Sequence, residues 1–139
     1  MKPAPRRKAR ILALQILHSR DHLGPDPLGE KILALNEKVS PELAEFASTL
    51  AERAWDNLAM VDVQIQKFLT GWKQSRLSKS LNALMRLSVA ELLYFPEQDA
   101  KVVINEALEI CKSHVDPKAT SILNGVLHGL AQSQNSLPS

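Results

Sequence analysis

Arg6-Arg7-Lys8-Ala9-Arg10-Ile11-Leu12-Ala13-Leu14-Gln15-Ile16-Leu17-His18 is the stretch on which the fold turns. Ala9, Leu12, Ala13, Ile16 and Leu17 recur at i, i+3, i+4, i+7 and i+8, the spacing of one apolar helix face. At about 100° per residue, the same helix gathers Arg6, Arg7, Arg10, Leu14 and His18 on a strip beside that face. Three arginines therefore share one side near a helix N-terminus. There they oppose the macrodipole at about 0.3–1 kcal/mol each, a cost that invites a functional reason. Cations and first-turn N–H groups at such an end can face phosphates. His18 reads either as a stacking or hydrogen-bonding group for a base or as a plain surface histidine.

Helical periodicity continues outward from this stretch. A basic arm over 1–5, carrying Lys2, precedes a helix over about 6–22. Asp21-His22-Leu23-Gly24-Pro25-Asp26-Pro27 breaks it, and a short helix over 28–36 follows. Ser40-Pro41-Glu42 is a start signal: an N-cap serine, a first-turn proline and an acid near the positive helix end. The helix it opens can run to 69, with Gly71 as stop, and that length predicts a kink or break. A second group comprises helices over 77–95, halted by Pro96, over 102–114, and from Asp116-Pro117 to about 132. Residues 134–139 form a polar, frayed tail. Aromatics are few, alternation is weak and no Asn-Gly hairpin turn occurs. The chain is expected to be all-α: a single domain over 1–139, with an N-terminal half over 1–70 and a C-terminal half over 71–133.

The 139 residues are 45% hydrophobic and 23% charged, which suits a globular core and excludes a wholly disordered chain. No apolar run approaches the roughly 20 residues of a bilayer span. One cysteine, Cys111, excludes an internal disulfide framework and suits a reducing cytosol, so a cytoplasmic location is expected. The net charge of +2 conceals four alternating blocks. Residues 1–20 carry six basic groups and no acid; 21–66 carry three basic and nine acidic. Residues 67–90 carry five basic groups and no acid; 91–139 carry three basic and six acidic. The second basic block offers Lys73, Arg76 and Arg86 as an extension of a phosphate track, or else forms a solvated face.

The later helices carry less chemistry. In 102–114, Ile104, Ala107, Leu108, Cys111 and Val115 mark the buried face, and Asn105, Glu106, Glu109 and Lys112 the other. Cys111 reads as a core residue, and Glu106 with Glu109 as solvated carboxylates. In the last helix, Gly125 and Gly129 suggest close helix packing or the approach of a ligand. Asn124 beside them is a satisfied buried amide, the favoured reading, or a polar contact at an RNA surface. Ile11 and Leu14, off the main stripe, offer a seat for a partner helix or a second copy of the chain. No phosphate-cradling glycine loop or nucleophile elbow is present. His18 and His22 stand four apart without a third ligand. No metal, cofactor or enzymatic activity is expected.

Taken in order, these segments resemble the family of the bacterial transcription antitermination factor NusB. Arg6-Arg7-Lys8-Ala9-Arg10 with Ala13-Leu14-Gln15-Ile16-Leu17 resembles its arginine-rich opening. Trp72, Arg76-Leu77, Arg86-Leu87 and Glu91-Leu92 resemble its middle helices. Val103-Ile104-Asn105-Glu106-Ala107-Leu108-Glu109 with Lys112, then Leu123-Asn124-Gly125-Val126-Leu127, resemble its closing segments. The likeness covers almost the whole chain and is weakest over 23–66. It implies two packed three-helix-like bundles, about six to seven helices in all. It also implies a non-catalytic factor that binds boxA-type single-stranded RNA of ribosomal RNA operons. The partner it implies is NusE, a small-subunit ribosomal protein, within an RNA polymerase antitermination complex. Arg6, Arg7 and Arg10 match the family's basic RNA-binding motif. Gln15 matches a glutamine that contacts RNA or holds structure. His18 and Ile122 stand where family members carry aromatics, and Ser80-Leu81-Asn82 replaces a more charged segment, so RNA or partner affinity is expected to differ from the typical member. The same module also opens an rRNA cytosine methyltransferase, and the free-standing factor is the expected form because no catalytic domain follows. A protein-interaction module or homodimer with weak RNA binding is the competing expectation.

Overall fold

The computed structural model describes residues 3–23 and 39–135. Lys2, the expected helix over 28–36, the His22 side chain and the end of the tail lie outside the described residues. Six α-helices, and no strands, occur among the described residues. They are α1 (Pro3–Leu23), α2 (Pro41–Asp56), α3 (Leu58–Phe68), α4 (Lys79–Tyr94), α5 (Ala100–Ile110) and α6 (Thr120–Ser133).

Each start has a local cause. In α1, Pro3 and Pro5 fall in the first turn, where backbone N–H groups lack intrahelical partners anyway. The Ser40 hydroxyl accepts from the Leu43 N–H (3.2 Å), so α2 opens at the expected signal. The Ser78 hydroxyl does the same for Leu81 (3.1 Å), which places the start of α4 at Lys79 rather than 77. The Asp99 carboxylate accepts from the Lys101 N–H (2.9 Å), moving the start of α5 back to Ala100.

The anticipated break in the long second helix falls at Asn57. Its amide donates to the Arg53 carbonyl (2.8 Å), so side chain and backbone compete for one acceptor and the chain turns. The α5 segment ends in a π turn over Cys111–Val115, closed by the Asp116 N–H on the Cys111 carbonyl (2.8 Å). Asp116 then caps a 3₁₀ turn, Pro117–Ala119, that leads into α6.

Helix α4 is the axis of the molecule. Ten of its residues are buried, and it packs against each of the other five α-helices. Helix α1 lies on α2, α4 and α5, and α6 lies on α3, α4 and α5. The α1 stripe is buried as expected: Ala9, Leu12, Ala13, Ile16 and Leu17. Leu14 is buried too, which removes it as a seat for a partner, whereas Ile11 packs against the same core and stays partly exposed. Burying side chains such as Ile16, Leu17, Leu50 and Leu84 contributes about 1.5–3 kcal/mol each. At the α3–α6 crossing, a Cβ on Gly129 would stand 2.7 Å from Phe68 Cδ1. Gly129 is therefore required for close approach. Nothing lies within 4 Å of the same point on Gly125, which corrects the expectation of close packing for that residue.

Candidate nucleic-acid interface

The arginines of α1 do not form one free strip. Arg10 is only 3% exposed. Its Nε and Nη2 donate to the two carboxylate oxygens of Glu91 on α4, at 2.8 and 2.6 Å. That fork-to-fork geometry is the strongest form of an arginine–carboxylate pair. The pair is buried, since Glu91 is 1% exposed, and the remaining Nη1 of Arg10 is buried without a hydrogen-bond partner. Arg10 was expected to face phosphates, but here it ties α1 to α4. The reason is angular: it follows Ala9 and sits within a turn of Ala13, both fully buried.

Arg7 differs. Its side chain is 44% exposed, while Nε and Nη2 both reach Glu106 Oε2 on α5 at 2.6 Å. One edge of the guanidinium is anchored and the rest faces solvent. Glu106 is 4% exposed, which corrects its reading as a solvated partner of Glu109. It lies one turn from Val103 and Ile110, both buried, and the α5 surface there is covered by α1. The Arg6 guanidinium lies over the Phe46 ring of α2 at 4.8 Å, and that of Arg10 at 5.7 Å. Phe46 in turn meets Phe95 edge-on, with centroids 5.9 Å apart. Lys8 and Gln15 are exposed, and His18 is half-buried.

In the second basic block, Arg86 is also engaged. Its Nε and Nη2 meet Asp62 of α3 at 2.9 Å each, and its Nη1 meets Asp21 of α1 at 3.3 Å. The hydrogen bonds to Asp62 raise its pKa further above the ordinary guanidinium value, against the opposing effect of burial, with the Asp62 and Asp21 charges adding to the rise. Arg86, expected on a phosphate track, instead clamps α1, α3 and α4. Lys73 and Arg76 are exposed and carry no ion pair among the described residues. Asn124 is exposed, so the buried-amide reading fails and the polar-surface one stands. Cys111 is buried. Desolvation pushes its thiol pKa up, and its Sγ donates to the Asp116 carbonyl (3.3 Å), as befits a core residue.

Sequence reasoning missed the carboxylates that hold these arginines. One signal was available for Glu91: it is the lone acid in a helix whose neighbours are nearly all apolar. A buried acid of that kind needs a buried cation. Among the described residues there is no cluster of potential metal ligands, and no helix is long and apolar enough to cross a membrane.

A family model described as the NusB family matches residues 7–132. The chain belongs to the NusB family. It is 35% identical over 126 residues to the transcription antitermination protein NusB of Natranaerobius thermophilus, covering 89% of each chain. Among solved structures, it is similar to a chain from a crystal structure of the antitermination factors NusB and NusE in complex with dsRNA. That likeness has a TM-score of 0.83 and 26% identity, and covers 94% of this chain and 98% of the other. It is also similar to NusB of T. maritima, with a TM-score of 0.81 and 27% identity, over 94% and 95% of the two chains. As a NusB-family fold, the arrangement gives the α1 arginines two duties. Arg10 joins helices, and Arg7 presents an anchored cation to solvent.

Proposed function

We propose that this chain is a non-catalytic RNA-binding antitermination factor that acts with a NusE-type ribosomal protein on boxA-type RNA of ribosomal RNA operons. The observation that carries this reading is the anchored but half-exposed Arg7 beside exposed Lys8 at the N-terminal end of α1. A guanidinium fixed along one edge loses little freedom on meeting a phosphate, and a helix N-terminus supplies a favourable field. The likeness to a NusB chain in a structure with NusE and RNA supports the same assignment. Arg6, Arg7, Lys8 and Lys2 bind backbone phosphates, Gln15, His18 and Asn124 supply polar contacts, and Lys73 and Arg76 extend the contact. Arg10 and Arg86 act by positioning helices. The NusE-type partner binds the same RNA, adding contacts along it and linking it to the polymerase complex.

Salt titration of binding to a boxA-type single-stranded oligoribonucleotide tests this. Each phosphate contact contributes a slope of about −0.7 in log K against log salt. Arg7→Ala with Lys8→Ala is expected to flatten the slope by about two such increments. A salt-independent affinity, or an unchanged slope in the double variant, refutes phosphate binding by α1.

A further inference from the structure

We infer a second RNA contact, a nucleobase-stacking shelf at Trp72, on the turn between α3 and α4. It rests on the RNA-binding reading above and adds a base contact beside the extension assigned there to Lys73 and Arg76, away from the α1 cations. Trp72 is 55% exposed, although an indole is among the largest apolar groups a fold can bury. It forms one wall of an open cleft of about 380 Å³, with buried Leu69 behind it and Gln66, Lys73, Gln74 and Ser75 around the rim.

The shelf is held rigidly. Gly71, at φ 79°, turns the chain out of α3 in a conformation that favours glycine. Beyond Trp72, the Gln74 amide donates to Asp62 (2.8 Å) and Asn82 (2.9 Å) and accepts from Gln66 (3.1 Å). Asp62 also receives Arg86, so the turn is tied into the clamp that joins α1, α3 and α4.

The charge around it selects the occupant. No acid occurs between Asp62 and Glu91. Lys67, Lys73, Arg76 and Lys79 are all exposed, and none has an acidic partner among the described residues. An aromatic face with Lys73 at its rim, in an acid-free basic stretch, suits an unpaired base with its flanking phosphates. The Gln66 amide at the rim, which spends one N–H on Gln74, keeps its other N–H and its carbonyl for a base edge. Arg10 of α1 pairs with Glu91, near the far end of α4, whereas Gln74 pairs with Asn82 near its start. Nine residues of α4 separate the two levels, about 14 Å along the helix axis at 1.5 Å per residue.

The test compares wild type, Trp72→Ala and Trp72→Phe in binding single-stranded oligoribonucleotides, intact or with one abasic position moved along the strand. Trp72→Ala is expected to bind intact RNA about 5- to 150-fold more weakly, the range of one stacked base. Trp72→Phe, which keeps a ring, is expected to recover most of that loss. At one abasic position, the gap between wild type and Trp72→Ala is expected to close. Equal binding of intact RNA by wild type and Trp72→Ala overturns the shelf while leaving RNA binding by α1 intact. Unchanged RNA affinity with lost association to the NusE-type protein overturns it in favour of a protein-docking surface. Absence of RNA binding by the wild type overturns both the shelf and the function proposed above.

Discussion

Replacing Glu91 with Gln keeps the side chain's shape and removes its charge. Arg10 then remains charged and buried, with Nη1 already lacking a partner, one of its two hydrogen bonds lost to an NH2 group that cannot accept, and the other weakened. Breaking one side of a buried ion pair costs about 3–5 kcal/mol, because the surviving charge stays desolvated. A urea slope of about 2 kcal/mol per molar, within the usual range, converts this to a midpoint shift of about 1.5–2.5 M. Equilibrium urea unfolding followed by circular dichroism reads it directly. The paired change Arg10→Met with Glu91→Leu removes both charges and is expected to recover most of the loss, since apolar replacement of a buried pair is often neutral. RNA binding separates the structural role from a contact role. In the folded Arg10→Met, Glu91→Leu variant, the salt slope is expected to stay unchanged, because Arg10 faces Glu91 and not solvent. A Glu91→Gln cost below about 1 kcal/mol refutes the buried pair as a structural tie. A slope shallower by about 0.7 in the paired variant refutes the exclusion of Arg10 from RNA.

Two further outcomes follow from the packing. Gly129→Ala is expected to destabilise by about 1–3 kcal/mol, because its methyl meets the Phe68 ring, whereas Gly125→Ala is expected to stabilise by up to about 1 kcal/mol through helix propensity. Thermal unfolding of the two variants is the check, and equal effects refute the difference in packing. Burial raises the native Cys111 thiol pKa, so the folded state keeps a proton that the unfolded chain releases. The resulting stability is complete at about pH 7 and is lost as pH rises through the native thiol's titration. The stability difference between wild type and Cys111→Ala is expected to shrink between about pH 7 and pH 10, and a constant difference refutes it.

Much of the architecture was legible from local signals. Ser40-Pro41-Glu42 and Asp116-Pro117 marked helix starts because capping depends on neighbouring residues only. The α1 stripe was legible because helical period and burial are coupled. The Asn57 break was anticipated from length, but its position depended on one side chain bonding one carbonyl. The candidate interface was harder to read. Arg6, Arg7 and Arg10 look equivalent as a basic run, yet Arg7 is half-exposed and Arg10 is buried. Their difference comes from Glu91 and Glu106, which lie 81 and 99 residues from their respective partners.

The sequence by itself determined the helical class, the core face of α1, the caps at Ser40 and Asp116, and the family likeness. Each of these depends on spacing within a few turns of chain or on residues in fixed order. Tertiary structure alone decided which cations are available to a ligand. Whether an arginine meets solvent or a carboxylate depends on helices brought together from distant segments. Packing consumed Arg10 and Arg86 in clamps, left Arg7 half free, and set Trp72 beside Lys73 on an open turn. Charge density along a chain counts the cations; only burial and pairing show which of them remain for RNA.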